Sequence, residues 1–523
     1  MISTILRKHK FHMMKKRASG ATAGALPVDL SLASNLKAIK AQLGARSDLD
    51  ERKFTLEQDK PVQAALIYLE AMTDLAILND NVLKPLMQMQ QAPKENLMSH
   101  ILDSVLTVAG SRLETSLSSA IQDLLEAKTL ILVDGETQVI VVDAQAMEKR
   151  SVTEPMTEST IRGPRAGFVE DIHANLALIR VKLRSSDLQI EKYVIGRRTN
   201  TEVCIMYLRG IVKKELVAEV RRRLSSIDIE GPLDSGHIEQ WIEDAPFSLF
   251  PTVGNTEKPD IVAGKLLDGR VAILVDTSPV ALTVPSVFAD YFKVAEDYYS
   301  RPFYSSFTRV LRYVAFLNSV FLPAFYVALE NFQKELIPEG LIRGFANARE
   351  GVPFPLALEV LMMIVLYEWL REAGVRMPRP IGQAVSIVGS LVIGQAAVSA
   401  GIIGAPTVIV IASAAITTFL VPPLQDVSAM FRVIAVLVVS VLGLYGLFLL
   451  LYAMLVYLVD LRSFGIPYMT PLAPMRLNEW EDFIFRAPLQ WLSRRPASME
   501  VSDQKKLDSV PPPPNKPFGN NRR

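Results

Sequence analysis

The run PIGQAVSIVGSLVIGQAAVSAGIIGAPTVIVIASAAITTFLVPPLQ, residues Pro380–Gln425, contains no Asp, Glu, Lys or Arg over 46 residues. One membrane-spanning helix needs only about 20 apolar residues. Gly401, Gly404 and Pro406 interrupt the run near its middle. The pattern predicts two helices, Ile381–Ala400 and Pro406–Val421, joined by a tight hairpin. In hydrocarbon the backbone must satisfy its own hydrogen bonds, which favours helices. A large soluble protein can bury one such helix, but two in succession without a charge point to lipid.

Working outward, further apolar segments flank this pair. Val310–Leu329 precedes it, with Asn318 and Pro323 inside. Val352–Leu370 carries Glu359 and Glu368, nine positions apart and therefore on opposite faces of a helix. Two charged faces are costly in lipid, so this segment reads as interfacial, re-entrant or lining water. Val433–Val459 runs without a charge to Asp460 and is long enough to span with tilt. Arg462, Arg476, Arg486, Arg494 and Arg495 follow it, which places the tail on the cytoplasmic side by the positive-inside rule. Both ends inside require an even number of crossings. Four spans plus a non-crossing Val352–Leu370 satisfy that requirement.

The first half is different in kind. It is charged, begins without a signal-peptide pattern, and reads as cytoplasmic. A pattern recurs in it. Ala64–Leu69 and Val203–Leu208 are strand-like and end in Tyr-Leu, and each is followed by helical sequence. Leu130–Val133, then Asp134-Gly135, then Val139–Asp143 reads as a hairpin, because glycine accepts the positive φ of the turn. Lys265–Gly269 followed by Val271–Asp276 reads as its counterpart. Repeats set architecture. The fold class expected is therefore an α/β soluble N-terminal region of two related subdomains followed by an α-helical multi-pass membrane domain. The boundaries are a poorly ordered basic arm at 1–55, subdomains at 56–150 and 151–300, membrane helices at 301–475, and a cytoplasmic tail at 476–523 ending in a disordered Pro-rich stretch.

The net charge of +1 gives no electrostatic case for nucleic acid. Cys204, the single cysteine, sits in an apolar run and reads as a buried hydrophobe. The five histidines show no metal-ligand spacing. No catalytic triad, cofactor motif or metal cluster appears, so a non-enzymatic role without a cofactor is expected. Glu239 and Glu243, four apart in a charged stretch, read as a solvated helix face. The element Arg162-Gly163-Pro164-Arg165 could form a phosphate nest, but no Gly-Lys-Ser/Thr closes it, and a structural turn is the simpler reading.

The candidate functional residues lie on Ile381–Ala400. Gly382, Ser386, Ser390 and Gly394 recur every four positions, with Gly389 nearby. Small residues on one stripe let helices approach closely. They equally suit a narrow pore that includes Gln383, with Val388 or Ile393 forming a hydrophobic gate. Packing and pore lining remain open alternatives for Gln383, Ser386, Val388, Gly389, Ser390, Ile393 and Gly394.

Several stretches, in this order, resemble one family. They are Thr157–Arg165 (TESTIRGPR), Asp228–Gly236 (DIEGPLDSG), Arg301-Pro302-Phe303, Ile387–Val398 and Leu461–Pro474 (LRSFGIPYMTPLAP). The family is the A subunits of GerA-type spore germinant receptors. The resemblance covers Glu158 to Pro474 and is weaker before it. It implies a multi-pass protein of the endospore inner membrane, with its N-terminal domain on the cytoplasmic side. It implies as partners a B subunit resembling an amino-acid permease, a lipoprotein C subunit and membrane lipid. It also implies a homo-oligomeric ring, a pentamer, that forms a nutrient-gated ion channel. A secondary transporter and a non-conducting scaffold or signalling subunit are the competing readings.

Overall fold

Every residue of Thr129–Val133 and Val139–Val142 is buried, and so is every residue of Val271–Val275 and Ala281–Val284. Strands apolar on both sides need cover on both sides. The computed structural model provides it; it describes residues 26–44, 47–56, 61–89, 96–145, 155, 158, 160, 162–377, 392 and 394–506.

The first unit contains α1 (Leu32–Leu43), β1 (Leu49–Leu56), β2 (Val62–Leu69), β3 (Ser111–Glu114), α2 (Leu117–Leu125), β4 (Thr129–Val133) and β5 (Val139–Val142). Short helical turns at Leu75–Met87 and Leu97–Val105 lie between β2 and β3. The second unit contains α3 (Ile172–Lys182), β6 (Leu188–Ile195), β7 (Thr201–Leu208), α4 (Lys214–Ser225), α5 (Ser235–Ile242), β8 (Gly254–Thr256), α6 (Pro259–Leu267), β9 (Val271–Val275) and β10 (Ala281–Val284). Both sheets are antiparallel, with orders β1-β2-β4-β5-β3 and β6-β7-β9-β10-β8. These orders are identical once the copies are aligned, so the two units are one topology used twice. In each, one sheet face packs on the pair α1 and α2, or α3 and α6. The other face packs on the helices between the second and third strands.

Small devices repeat with the topology. Asn35 Oδ1 accepts from Asp29 N at 2.8 Å, and Asn175 Oδ1 accepts from Val169 N at 2.8 Å, one at the start of each leading helix. Asp134 accepts from Leu32 N at 2.9 Å, and Asp276 accepts from Ile172 N at 3.4 Å.

This pairing corrects the repeat register read from sequence. Asp134 matches Asp276, not Asp268. Asp134-Gly135 is the β4–β5 turn, whereas Asp268-Gly269 ends α6 before β9. The position matching Gly269 (φ 86°) is Ala127 (φ 71°), which ends α2 in the same left-handed conformation. The arm expected at 1–55 is also corrected. From Leu32 onward it supplies α1 and β1 of the first unit, because Leu36, Ile39, Leu43 and Leu56 are needed to cover β2 and its neighbours. A buried ion pair, Arg180 with Asp48 at 2.6 Å, joins the two units.

The helical region contains α7 (Pro302–Asn331), α8 (Glu339–Ala348), α9 (Leu356–Arg376), α10 (Ala405–Thr418) and α11 (Gln425–Asp460). α7 leaves from beside the second sheet, where Tyr313 stacks on Phe292 at 4.0 Å. Its far end is marked by Glu330, bonded to Arg349 at 2.8 Å. α9 returns, with Glu359 near Arg349 at the far end and Arg371 3.9 Å from Asp426 at the near end. α10 also returns, from Gly404 beside Glu359 to Thr418 beside Arg432.

α11 is not one rod. Gly443 has φ 59° and ψ −146°, outside helical geometry. Phe250 lies 5.5 Å from Phe431 and 6.3 Å from Tyr457, ring centroid to centroid. In a continuous helix those two residues would stand about 39 Å apart. The chain therefore reverses at Gly443, giving an outgoing arm to Leu442 and a returning arm from Leu444.

Among the described residues, two helices satisfy length and composition for a membrane crossing, Pro302–Asn331 at mean hydropathy 1.5 and Pro422–Asp460 at 2.8. The reversal divides the second into two arms of about 26 Å each. The single span expected at Val433–Val459 is thus corrected to the returning half of a hairpin plus part of its partner. The Pro-rich end expected to be disordered lies outside the described residues. Residues 476–506 fold back on the second unit, with Met499 and Val501 packed beside Val287 and Ala289. Ser502 N donates to Ile211 O at 3.0 Å.

Candidate functional site

Four apolar helices enclose two groups of charged side chains. Charges within such helices face protein, and mark functional positions, because lipid cannot solvate them.

The nearer group centres on Arg432, which is fully buried. Its Nε donates to Ser319 O at 2.8 Å and its Nη2 to Thr418 Oγ1 at 2.7 Å. Glu368 approaches Nη1 at 3.6 Å, and the guanidinium lies 5.8 Å from the centre of the Tyr367 ring. Ser319 and Ser428 bond at 3.1 Å alongside. α7, α9, α10 and α11 thus meet at one cation.

The farther group centres on Glu359, also fully buried. Its Oε1 accepts from Gly404 N at 2.7 Å and from the Thr407 hydroxyl. That places a carboxylate at the start of α10, where the helix dipole favours it. Arg349 bridges Glu359 (3.5 Å) and Glu330 (2.8 Å). The two glutamates of α9 do point to opposite faces, and each face has a protein partner. α9 packs on α7, α10 and α11, while Leu358, Val365 and Trp369 stay exposed.

Of the residues proposed from sequence for a pore, Gln383, Ser386, Val388, Gly389, Ser390 and Ile393 lie outside the described residues. Gly394 is buried, and a methyl added there would meet Val408 of α10 at 3.5 Å. Met377 follows α9 at the near end, and Gly404 precedes α10 at the far end.

Charged groups also fasten the helices to the second unit. Asp297 accepts from both Arg309 Nε (3.1 Å) and Arg312 (2.9 Å), and Arg309 reaches Asp482 of the tail at 3.0 Å. The stretch Leu461–Pro474 is the second fastening. Ser463 Oγ donates to Thr252 O at 2.6 Å and accepts from Ser286 N at 3.0 Å. Tyr468 OH donates to Pro251 O at 2.7 Å, and Arg223 lies 4.1 Å from the centre of the Phe464 ring. The Arg162–Arg165 turn is tied by its backbone, with Arg162 N donating to Glu296 at 3.3 Å.

A cavity of about 650 Å³ lies between the second unit and the tail. Its charges are largely spent on one another. Arg270 holds Asp290 in a two-pronged bond, and Lys506 reaches Asp268 at 2.6 Å. Asp290 is half-buried, and Arg270 holds its carboxyl well below the usual range against the opposing effect of burial. Near the same junction, Glu239 is pushed up to about 7, first by burial and then by the charges of Glu243 and Asp234. Glu239 and Glu243, expected on a solvated helix face, are each half-buried. Among the described residues, no cluster of three or more His, Cys, Asp or Glu is placed to hold a metal.

The model of the Bacillus/Clostridium GerA spore germination protein family matches residues 37–498. The chain belongs to that family. It is 41% identical to spore germination protein KA of Bacillus subtilis (strain 168), over 91% of this chain and 88% of that one. It is 36% identical to a B. subtilis protein called uncharacterized membrane protein YfkQ, over 90% of this chain and 92% of that one. A crystal structure of the N-terminal domain of the A subunit of the Bacillus megaterium spore germinant receptor GerK3 aligns with a TM-score of 0.41 and 34% identity, covering 51% of this chain and 98% of that domain. The two long apolar helices and the membrane-named relative associate this chain with a membrane.

Proposed function

We propose that this chain is the A subunit of a nutrient-responsive spore germination receptor and that several copies form a ring around an ion path through the membrane. The observation that carries the reading is the buried Arg432 between four apolar helices, in a chain of the GerA family. Such a charge needs a helix bundle around it before it can sit in lipid.

α7 leads out, α9 and α10 lead back, and the two arms of α11 lead out and back; with the expected span Ile381–Ala400, most of which lies outside the described residues, this makes six passes. Both chain ends then lie on one side, which is the cytoplasmic side of the endospore inner membrane. This count replaces four crossings plus a non-crossing segment. A B subunit resembling an amino-acid permease would sense the nutrient, with a lipoprotein C subunit beside it. Nutrient binding to the neighbour biases the ring only if the neighbour holds its closed and open states differently. The fastenings at Asp297 and Leu461–Pro474 would carry that bias between sheets and helices.

The test is ion release from spores carrying Val388→Thr or Ile393→Thr. A polar residue at a dewetting gate raises release without nutrient or shifts nutrient sensitivity. Unaltered release for polar substitutions at every position of Ile381–Ala400 overturns this helix as the pore lining. Recordings from the assembled receptor in a bilayer that show no conductance with nutrient overturn the channel itself.

A further inference from the structure

α7 is 30 residues long, about 45 Å, against a hydrocarbon core of about 30 Å. Roughly its first ten residues therefore stand outside the core if the helix crosses. Those turns are not polar. Phe303 is 93% exposed, and Tyr304 and Phe307 are exposed on the same side. The tail brings three more exposed apolar side chains beside them, Phe485, Leu489 and Trp491. The placement is built, because Arg486 N donates to Ser306 Oγ at 3.0 Å and the buried Arg486 guanidinium donates to Ser300 O at 3.0 Å. Two segments about 180 residues apart thus present one aromatic surface.

We propose that this surface, the first two turns of α7 together with Phe485–Trp491, seats in the lipid headgroup layer on the side of the sheets. Three observations select lipid over a second copy of the chain. Its composition, with Tyr and Trp beside large apolar groups, is that of residues at a membrane–water interface. The exposed stripe continues along α7 through Leu311, Val314 and Leu317 without a polar break, within an arc of about 140°. Exposed arginines flank it, Arg301 two residues before Phe303 and Arg494 three residues after Trp491, which suits anionic headgroups. Anchored there, the turns that hold Arg309 and Arg312 against Asp297 have a fixed depth, so the sheets cannot slide along the membrane normal.

The proposal rests on the membrane reading, and its test separates the two. Cys204 is fully buried, so single cysteines introduced elsewhere take a nitroxide label cleanly. The full chain with F303C, F307C, F485C or W491C is reconstituted in vesicles of phosphatidylethanolamine and phosphatidylglycerol. Collision with dissolved oxygen and with a nickel chelate is then measured. Tyr452→Cys, near the middle of the returning arm of α11, serves as the lipid reference and Arg198→Cys on the second sheet as the water reference. The ratio of oxygen to nickel accessibility for the four labels is expected to fall between the two references. A ratio equal to that of R198C, or as deep as that of Y452C, overturns the headgroup placement. Shielding from both reagents with spectral broadening between labels overturns it in favour of a second copy. If Y452C itself reads as water, the membrane reading fails instead.

Discussion

Phe332 fills the space that a side chain at Gly443 would need: an added methyl carbon there would stand 2.8 Å from Phe332 Cγ. The loop after α7 and the reversal of α11 are packed together through this one missing side chain. Gly443 also holds φ 59° with ψ −146°, a conformation costing other residues of the order of 1–3 kcal/mol. Gly443→Ala should lower stability by at least that amount. Adding Phe332→Ala should recover the steric part and leave the backbone part. Thermal unfolding of both variants in detergent checks this, and a G443A protein as stable as the parent would refute the reversal.

Arg432 and Glu368 offer a second test. Removing one partner of a buried pair leaves a charge stranded, at a cost of about 3–5 kcal/mol. Glu368→Gln should approach the low end, because Arg432 keeps Ser319 O and Thr418 as acceptors and Glu368 is partly exposed. Arg432→Met should relieve the charge while losing those bonds. The double variant should be less destabilised than the sum of the singles. A cycle of four proteins, read by thermal unfolding, gives the coupling; strict additivity would show that the pair is incidental.

Glu239 predicts a pH dependence. Its carboxyl is raised in the folded protein from an ordinary 4.5 to about 7, first by burial. The folded state therefore holds a proton that the unfolded state has released between those values. Stability should fall as pH rises from 4.5 to 7 and then level off. Glu239→Gln should remove most of that decline and leave the protein relatively more stable at pH 8 than at pH 5. Unfolding midpoints of the two proteins at both pH values decide it, and parallel curves would reject the assignment. Asp290 acts at the other end. Its depressed carboxyl contributes stability above the ordinary aspartate range, and that stability is lost as acid takes the pH down through its folded value.

The returning tail can be released. Val501 occupies the space above Gly269, where an added methyl carbon would stand 2.2 Å from Val501 Cγ1, and Glu500 pairs with Lys213. Val501→Asp should free residues 498–506 from the second unit. Trypsin should then cut at Lys505 and Lys506 several-fold faster, with the sheets intact. Unchanged cleavage would mean that the strap is held elsewhere.

Much of this arrangement was legible residue by residue. β2 and β7 stand out as apolar runs, and Lys214–Ser225 is the helical sequence expected after β7. The repeat itself was visible, but its register was not. Asp-Gly ends a strand in one copy and a helix in the other, and both uses exploit the same left-handed glycine. α1 and β1 escaped notice because their charged faces mask a narrow apolar stripe. The opposite faces of Glu359 and Glu368 followed from nine-residue spacing alone, whereas their partners did not.

What the sequence determined by itself is therefore local and compositional. It fixed which runs are strands or helices, which half is apolar, and that the same unit occurs twice, because hydrophobic period and turn residues act over a few positions. Only the tertiary structure decided where α11 turns back, which cation sits among four helices, and that the tail is a packed strap. Gly443 looks like any glycine tolerated in an apolar helix until Phe332, over 100 residues earlier, fills its side. Arg432 looks misplaced until carbonyl, hydroxyl and carboxylate oxygens from other helices surround it. Such partners lie far apart along the chain, and their meeting is settled by the packing of whole helices.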